Sequence, residues 1–127
     1  MNINDFNQEI GTKELETLKP EIVKILDVKI VSVGQKQNKK VCFIVKHSKK
    51  DEPIEISSLK WINPKNAKVE TVGLWFNLDA ERKIRKGSAL ATFLDFNKVK
   101  TISEIILKKM ELETILDEKG YLIFKSY

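Results

Sequence analysis

From Ile22 to Val33 the chain is dense in β-branched residues, which predicts a strand. Its alternation slips: Leu26, Val28 and Ile30 share one face, then Val31 and Val33 fall on the other. Such a change of phase predicts a bulge or strong bend. Residues 34–40 are polar and predict a turn, and Val41 to His47 predicts a second strand, apolar on both faces until Lys46. Ser48 to Pro53 is a second polar turn, followed by Ile54-Glu55-Ile56 with period two. Asn63-Pro64-Lys65-Asn66 is a turn signal. Val69 to Leu78 alternates cleanly, with Val72, Leu74, Phe76 and Leu78 on a core face and Trp75 on the other, beside Gly73. After a charged connection, Ala89 to Phe96 carries Leu90, Phe93 and Leu94 on one stripe and predicts a helix with Ser88 as N-cap. Thr101-Ile102-Ser103-Glu104 has capping-box spacing and opens a short helix to Leu107. Met110 to Leu116 alternates again, Asp117 to Gly120 is a hairpin turn, and Tyr121 to Phe124 is the closing strand.

At 127 residues the chain fits one domain. Residues 1–20, with Ile3, Phe6 and Ile10 at helical spacing, are expected as an N-terminal helical or mobile segment ahead of a domain over 21–127. The predicted order is three strands, a helix and two strands, a mainly β chain with helices of the α+β class. That is the layout of the OB-fold, a five-stranded antiparallel barrel with a helix between strands three and four. A long first strand that changes phase suits such a barrel, where it must bend to serve both halves.

Charge sharpens the picture. Residues 1–21 carry five acids against two lysines, residues 22–100 seventeen Lys and Arg against eight acids, and residues 101–127 five acids against four lysines. The positive field therefore lies in the middle of the chain and favours an anionic partner there. From Gly34 to Lys50 there are six lysines, Lys36, Lys39, Lys40, Lys46, Lys49 and Lys50, and no acid. Lysine outnumbers arginine 21 to 2, which favours phosphate contact over reading of base edges. Lys60, Lys68, Arg82, Arg85 and Lys86 extend the basic set, the last three just before the predicted helix.

Aromatic residues follow the lysines. Trp75, opposite the core face, has the position to stack a base; the alternative is that residues 1–19 or a dimer partner cover it. Trp61 either closes the end of the barrel or meets ligand. Phe43 shares a face with Val41 and Val45, which suits the core, and is otherwise a stacking candidate.

Signals for catalysis are weak. His47 is the only histidine and Cys42 the only cysteine, so a zinc site of the usual kind is excluded, as is an intramolecular disulfide. Cys42 lies in an apolar run and is expected as a buried thiol. Asp51, Glu52, Glu55, Asp79 and Glu81 have no spacing that demands a metal, and the five glycines form no phosphate loop. The chain is expected to be no enzyme, to need no cofactor, and to be cytoplasmic, with no secretory signal or membrane span.

The order of elements, the Gly87-Ser88-Ala89-Leu90 helix start and the closing hairpin resemble small single-stranded-DNA-binding proteins of the OB type, encoded by phages, plasmids and archaeal elements. The resemblance covers residues 22–127 in layout. It implies a single-stranded nucleic-acid partner, DNA before RNA, with a homodimer as a further candidate. Many cellular proteins of this type end in an acidic tail; here the sequence ends Ile123-Phe124-Lys125-Ser126-Tyr127, which points away from a housekeeping role. The competing expectation is an interaction adaptor or subunit that binds protein and no nucleic acid.

Overall fold

The computed structural model describes residues 18–127. The expectation for residues 1–17 lies outside the described residues. The chain is mainly β with two short helices. Its strands are β1 (Val23–Val33), β2 (Asn38–Lys46), β3 (Ile54–Ile56), β4 (Ser58–Ile62) and β5 (Val69–Gly73), followed by α1 (Ala89–Phe96) and α2 (Ile102–Leu107), then β6 (Glu111–Leu112), β7 (Thr114–Leu116) and β8 (Leu122–Lys125). They form two four-stranded sheets, ordered β3-β2-β1-β6 and β5-β4-β8-β7. The first is antiparallel and strongly curled. In the second, β4 and β8 run parallel.

β1 contains a bulge, but at Leu26 and not between Ile30 and Val31, where the register is unbroken. Ile25 pairs with Val45 and Asp27 with Ile44, so Leu26 has no partner and lies exposed. The expected face of Leu26, Val28 and Ile30 is thereby corrected. Before the bulge Val23 and Ile25 enter the core; after it Val28 packs against the core opposite Phe43, while Ile30, opposite Val41, lies exposed past its edge. An extra residue inverts parity, so a strand can serve the core on both sides of a bend.

Three further departures share one cause: the chain changes partner strand in mid-course. At Ser57 it leaves β2 for β5 and β8, which splits β3 from β4. Ser58–Ile62 is itself a strand that the sequence pattern did not predict. At Leu74 it leaves β4 for β2: Leu74 N–H donates to Ser57 O at 2.9 Å, and Leu74 O accepts from Val41 N–H at 2.8 Å. The expected strand Val69–Leu78 therefore ends at Gly73, and Trp75 only bridges to Lys40. At Glu113 the chain leaves β1 for β8, separating β6 from β7.

Both helices start as expected. Ser88 Oγ accepts from Ala91 N–H at 3.2 Å, and Thr101 Oγ1 accepts from Glu104 N–H at 3.2 Å. The Glu104 carboxylate accepts instead from Lys100 N–H, one residue before the cap. Leu90, Phe93 and Leu94 of α1 enter a core shared with Val41, Phe43, Val45, Leu59, Leu74 and Phe124. At its centre three rings meet: Phe43 to Phe93 at 5.7 Å between centroids, Phe43 to Phe124 at 5.5 Å and Phe93 to Phe124 at 5.1 Å.

Residues just before β1 are tied down by polar contacts. Thr114 Oγ1 donates to Glu21 O and accepts from Glu21 N–H. The Glu21 carboxylate accepts from Ser48 N–H at 2.6 Å and Ser48 Oγ–H at 2.7 Å. Those bonds, with His47 and Lys49 nearby, hold its pKa below the ordinary 4.5.

Phe93→Ala is expected to cost about 3–5 kcal/mol in urea unfolding, since it opens a cavity beside Phe43 and Phe124. Glu21→Gln is expected to lower the melting temperature at neutral pH. A depressed carboxylate stabilises above its unfolded pKa and stops doing so as pH falls through the folded value. The gap between the two proteins should therefore close as pH drops below about 4.5 in a thermal melt series.

Candidate nucleic-acid interface

The core fixes which way β2 faces. Val41, Phe43 and Val45 point inward, so Lys40, Cys42, Ile44 and Lys46 lie on the outer side. On that side Lys40 meets Trp75. Its Nζ lies 5.3 Å from the indole centroid, within cation–π range. Trp75 follows the buried Leu74, which confirms its place opposite the core, and it is half-buried. Gly73 forms the floor beneath the pair. A Cβ there would stand 2.8 Å from Lys40 Cε and 3.0 Å from Trp75 Nε1. The glycine is what lets the indole and the lysine stem lie close on the sheet.

Beyond this pair the β1–β2 ladder runs past the core as a two-stranded arm. Val31 pairs with Lys40, Ser32 with Lys39 and Val33 with Asn38, and residues 34–37 turn the chain. Gly34 and Gln37 both have positive φ, at 76° and 51°. Lys36 and Lys39 are exposed here, with Ile30 (48% exposed) and Val33 as the apolar part of the arm. On the other side of Trp75, Phe76 N–H donates to Lys39 O and Arg85 N–H donates to Asn77 O. The backbone of the 74–77 stretch thus joins the arm to the connection that carries Arg82, Arg85 and Lys86, all exposed. Lys36, Lys39, Lys40, Arg82, Arg85 and Lys86 have no ion-pair partner among the described residues.

The other candidates lie elsewhere. Six residues of extended β2 separate Lys40 from Lys46, roughly 20 Å. The lysine run of 34–50 is therefore two groups at opposite ends of one strand. Lys46 sits opposite Lys24 and donates to Lys50 O; Lys49 and Lys50 are exposed in the turn beside Asp51 and Glu52. Lys60 reaches Leu116 O and lies 3.9 Å from Glu118. Lys68 is exposed beyond the far end of β5.

Phe43 and Trp61 are corrected to the core. Phe43 is fully enclosed by Phe93 and Phe124. Trp61 is 8% exposed, because β4 alternates and turns Leu59 and Trp61 inward. Neither ring is accessible to a ligand in the folded state. The Trp61 indole N–H has no hydrogen-bond partner among the described residues.

Cys42 and His47 are structural. Cys42 lies buried next to Lys29 and Glu55, which form a 2.6 Å ion pair across β1 and β3, and burial pushes its thiol pKa up, away from nucleophilic chemistry. Lys29 in turn holds the Glu55 carboxyl below its ordinary range. His47 is 1% exposed; its Nε2 is 2.8 Å from Lys19 O, and its Nδ1 accepts from Lys49 N–H. Among the described residues no cluster of His, Cys, Asp and Glu has metal-binding geometry, and no helix is long and apolar enough to cross a membrane.

Phe96, Tyr121 and Tyr127 are exposed aromatics that were not among the candidate site residues, and Tyr121 is the most exposed of them. Tyr121 lies beside a groove lined by Lys50, Ile54, Glu55 and Lys119, between β3 and the start of β8. Its signal was its place directly after the Gly120 turn, which puts a side chain at the exposed end of a hairpin. No family model, curated protein or solved structure matches the chain.

The two tryptophans should separate in acrylamide quenching. Trp75→Phe, which leaves Trp61, is expected to give emission almost immune to quencher; Trp61→Phe, which leaves Trp75, is expected to give quenchable emission. Gly73→Ala in the second background should increase quenching further, as the added methyl displaces the indole from its floor.

Proposed function

We propose that the protein is an OB-like module that binds single-stranded nucleic acid, DNA in the first instance, without sequence specificity. The pairing pattern supports the fold reading. β1 pairs with β2 and β6, β2 with β3, β4 with β8 in parallel, and β8 with β7. Because β3 runs into β4 through Ser57 and β6 into β7 through Glu113, these pairings describe a circuit of five strand paths. The helices fall between the third and fourth of these, as in an OB-fold. β5 is an addition, and its continuation carries Trp75.

The observation that carries the functional reading is the Lys40–Trp75 pair at the root of an arm whose lysines have no ion-pair partner among the described residues. An indole on an outer sheet face supplies a stacking surface, and flanking cations supply phosphate contacts. Lysine in place of arginine fits contact with a backbone over reading of base edges. Arg82, Arg85 and Lys86 would continue the phosphate track past Trp75.

A fluorescent oligonucleotide titration, with DNA, RNA and duplex, tests this. Single strands should bind more tightly than duplex, with affinity falling steeply as salt rises. Trp75→Ala should cost about 1–3 kcal/mol. Lys36→Ala with Lys39→Ala should flatten the salt dependence by about 0.7 for each phosphate no longer neutralised, whereas Lys49→Ala with Lys50→Ala should leave it in place. Absence of binding at low salt would contradict the proposal.

A further inference from the structure

A groove of about 730 Å³ lies between the 76–84 segment and the two helices, on the far side of Phe76 from Trp75's outer face. Its floor is apolar and mostly aliphatic: Leu78, Ile84, Leu94, Val99 and Ile102, with Phe76 as the one ring. Its rim is basic. Arg82, Lys83 and Lys100 line it against a single carboxylate, Asp95, while Glu81 sits 3.7 Å from Lys83 at the edge. All three cations are exposed, and Arg82 and Lys100 have no ion-pair partner among the described residues.

We infer that this groove docks an acidic amphipathic peptide of a partner protein. Apolar side chains of the peptide would fill the trough over Leu78, Ile84 and Ile102, and its carboxylates would meet Arg82, Lys83 and Lys100. Charge complementarity selects the occupant: a neutral or basic peptide would leave Arg82 and Lys100 without the ion pair that Lys83 already has with Glu81. The floor argues against a nucleic-acid strand, since aliphatic side chains offer no flat partner for successive bases, and aromatic platforms are what single-strand sites use. The volume suits several apolar side chains from one face of a short helix or extended segment, the mode in which amphipathic peptides dock in grooves. The groove does not include Lys40 or Trp75, and Arg82 is the one residue it shares with the proposed phosphate track.

The test uses the full chain and a fluorescein-labelled peptide with Leu or Phe at every third and fourth position and Asp or Glu between them. The control has the same composition with the apolar residues dispersed. Fluorescence polarisation should show saturable binding of the patterned peptide and much weaker binding of the control. Lys83→Glu with Lys100→Glu, both on exposed side chains, should weaken the patterned peptide by about tenfold or more. Trp75→Ala should leave it unchanged, which separates this inference from the nucleic-acid reading. Equal binding of the two peptides, or none, would overturn the proposal. So would displacement of the peptide by an oligonucleotide whose own binding falls equally in the Lys83→Glu, Lys100→Glu protein, since the groove would then belong to a nucleic-acid surface.

Discussion

Phe43, Phe93 and Phe124 come from three parts of the chain: the first sheet, α1 and the second sheet. Their rings meet within 5.7 Å of one another, centroid to centroid. This contact lies at the centre of the core that the two sheets and α1 share. It also fixes parity. Once Phe43 must point inward, Val41 and Val45 follow it, and Lys40, Cys42 and Lys46 must point out. A slip of one residue in β2 would put lysines in the core and expose the phenylalanine, so the register is held by a large energetic gap. The outward direction of Lys40, and hence its seat on Trp75, is a consequence of a buried ring about three residues away.

The same parity rule places Gly73 beneath the pair. The chain leaves β4 at Leu74 in order to pair with β2, and that change of partner brings Trp75 alongside Lys40. Two long side chains then share the space above one residue, and a Cβ on it would force the Lys40 stem or the indole to shift. Core packing, partner exchange and a glycine together produce an outer surface with one indole and several cations that have no ion-pair partner among the described residues. None of them is sufficient alone.

Much of this was legible in the sequence. The long first strand, both helix caps, the alternation of Val72, Leu74 and Phe76, and the closing hairpin all follow from local chemistry, which acts over a few residues; a bulge in the first strand was expected, but its place at Leu26 was not. What escaped was set by distant pairing. The exchanges at Ser57, Leu74 and Glu113 carry no local mark, because continuous extended sequence looks the same whether or not its partner changes. Ser58–Ile62 was hidden by the adjoining Pro64 turn, though Leu59 and Trp61 do alternate with Lys60 and Ile62. The lysine run reads as one patch along the chain, but extended backbone carries its two halves to opposite ends of β2. The groove rim was only half legible, since Lys100 reaches Arg82 and Lys83 through the packing of α2 and not through the chain.

The central claim is that the arm and Trp75 form one surface for single-stranded nucleic acid. Amide and indole chemical-shift mapping of isotope-labelled protein, titrated with a short oligothymidylate, tests it most directly. The account predicts shifts at residues 36–40, Gly73 and the Trp75 indole N–H, with little change at Lys46, Lys49 and Lys50. Shifts centred on the Lys46–Lys50 end or on Tyr121, or none at saturating oligonucleotide, would contradict it.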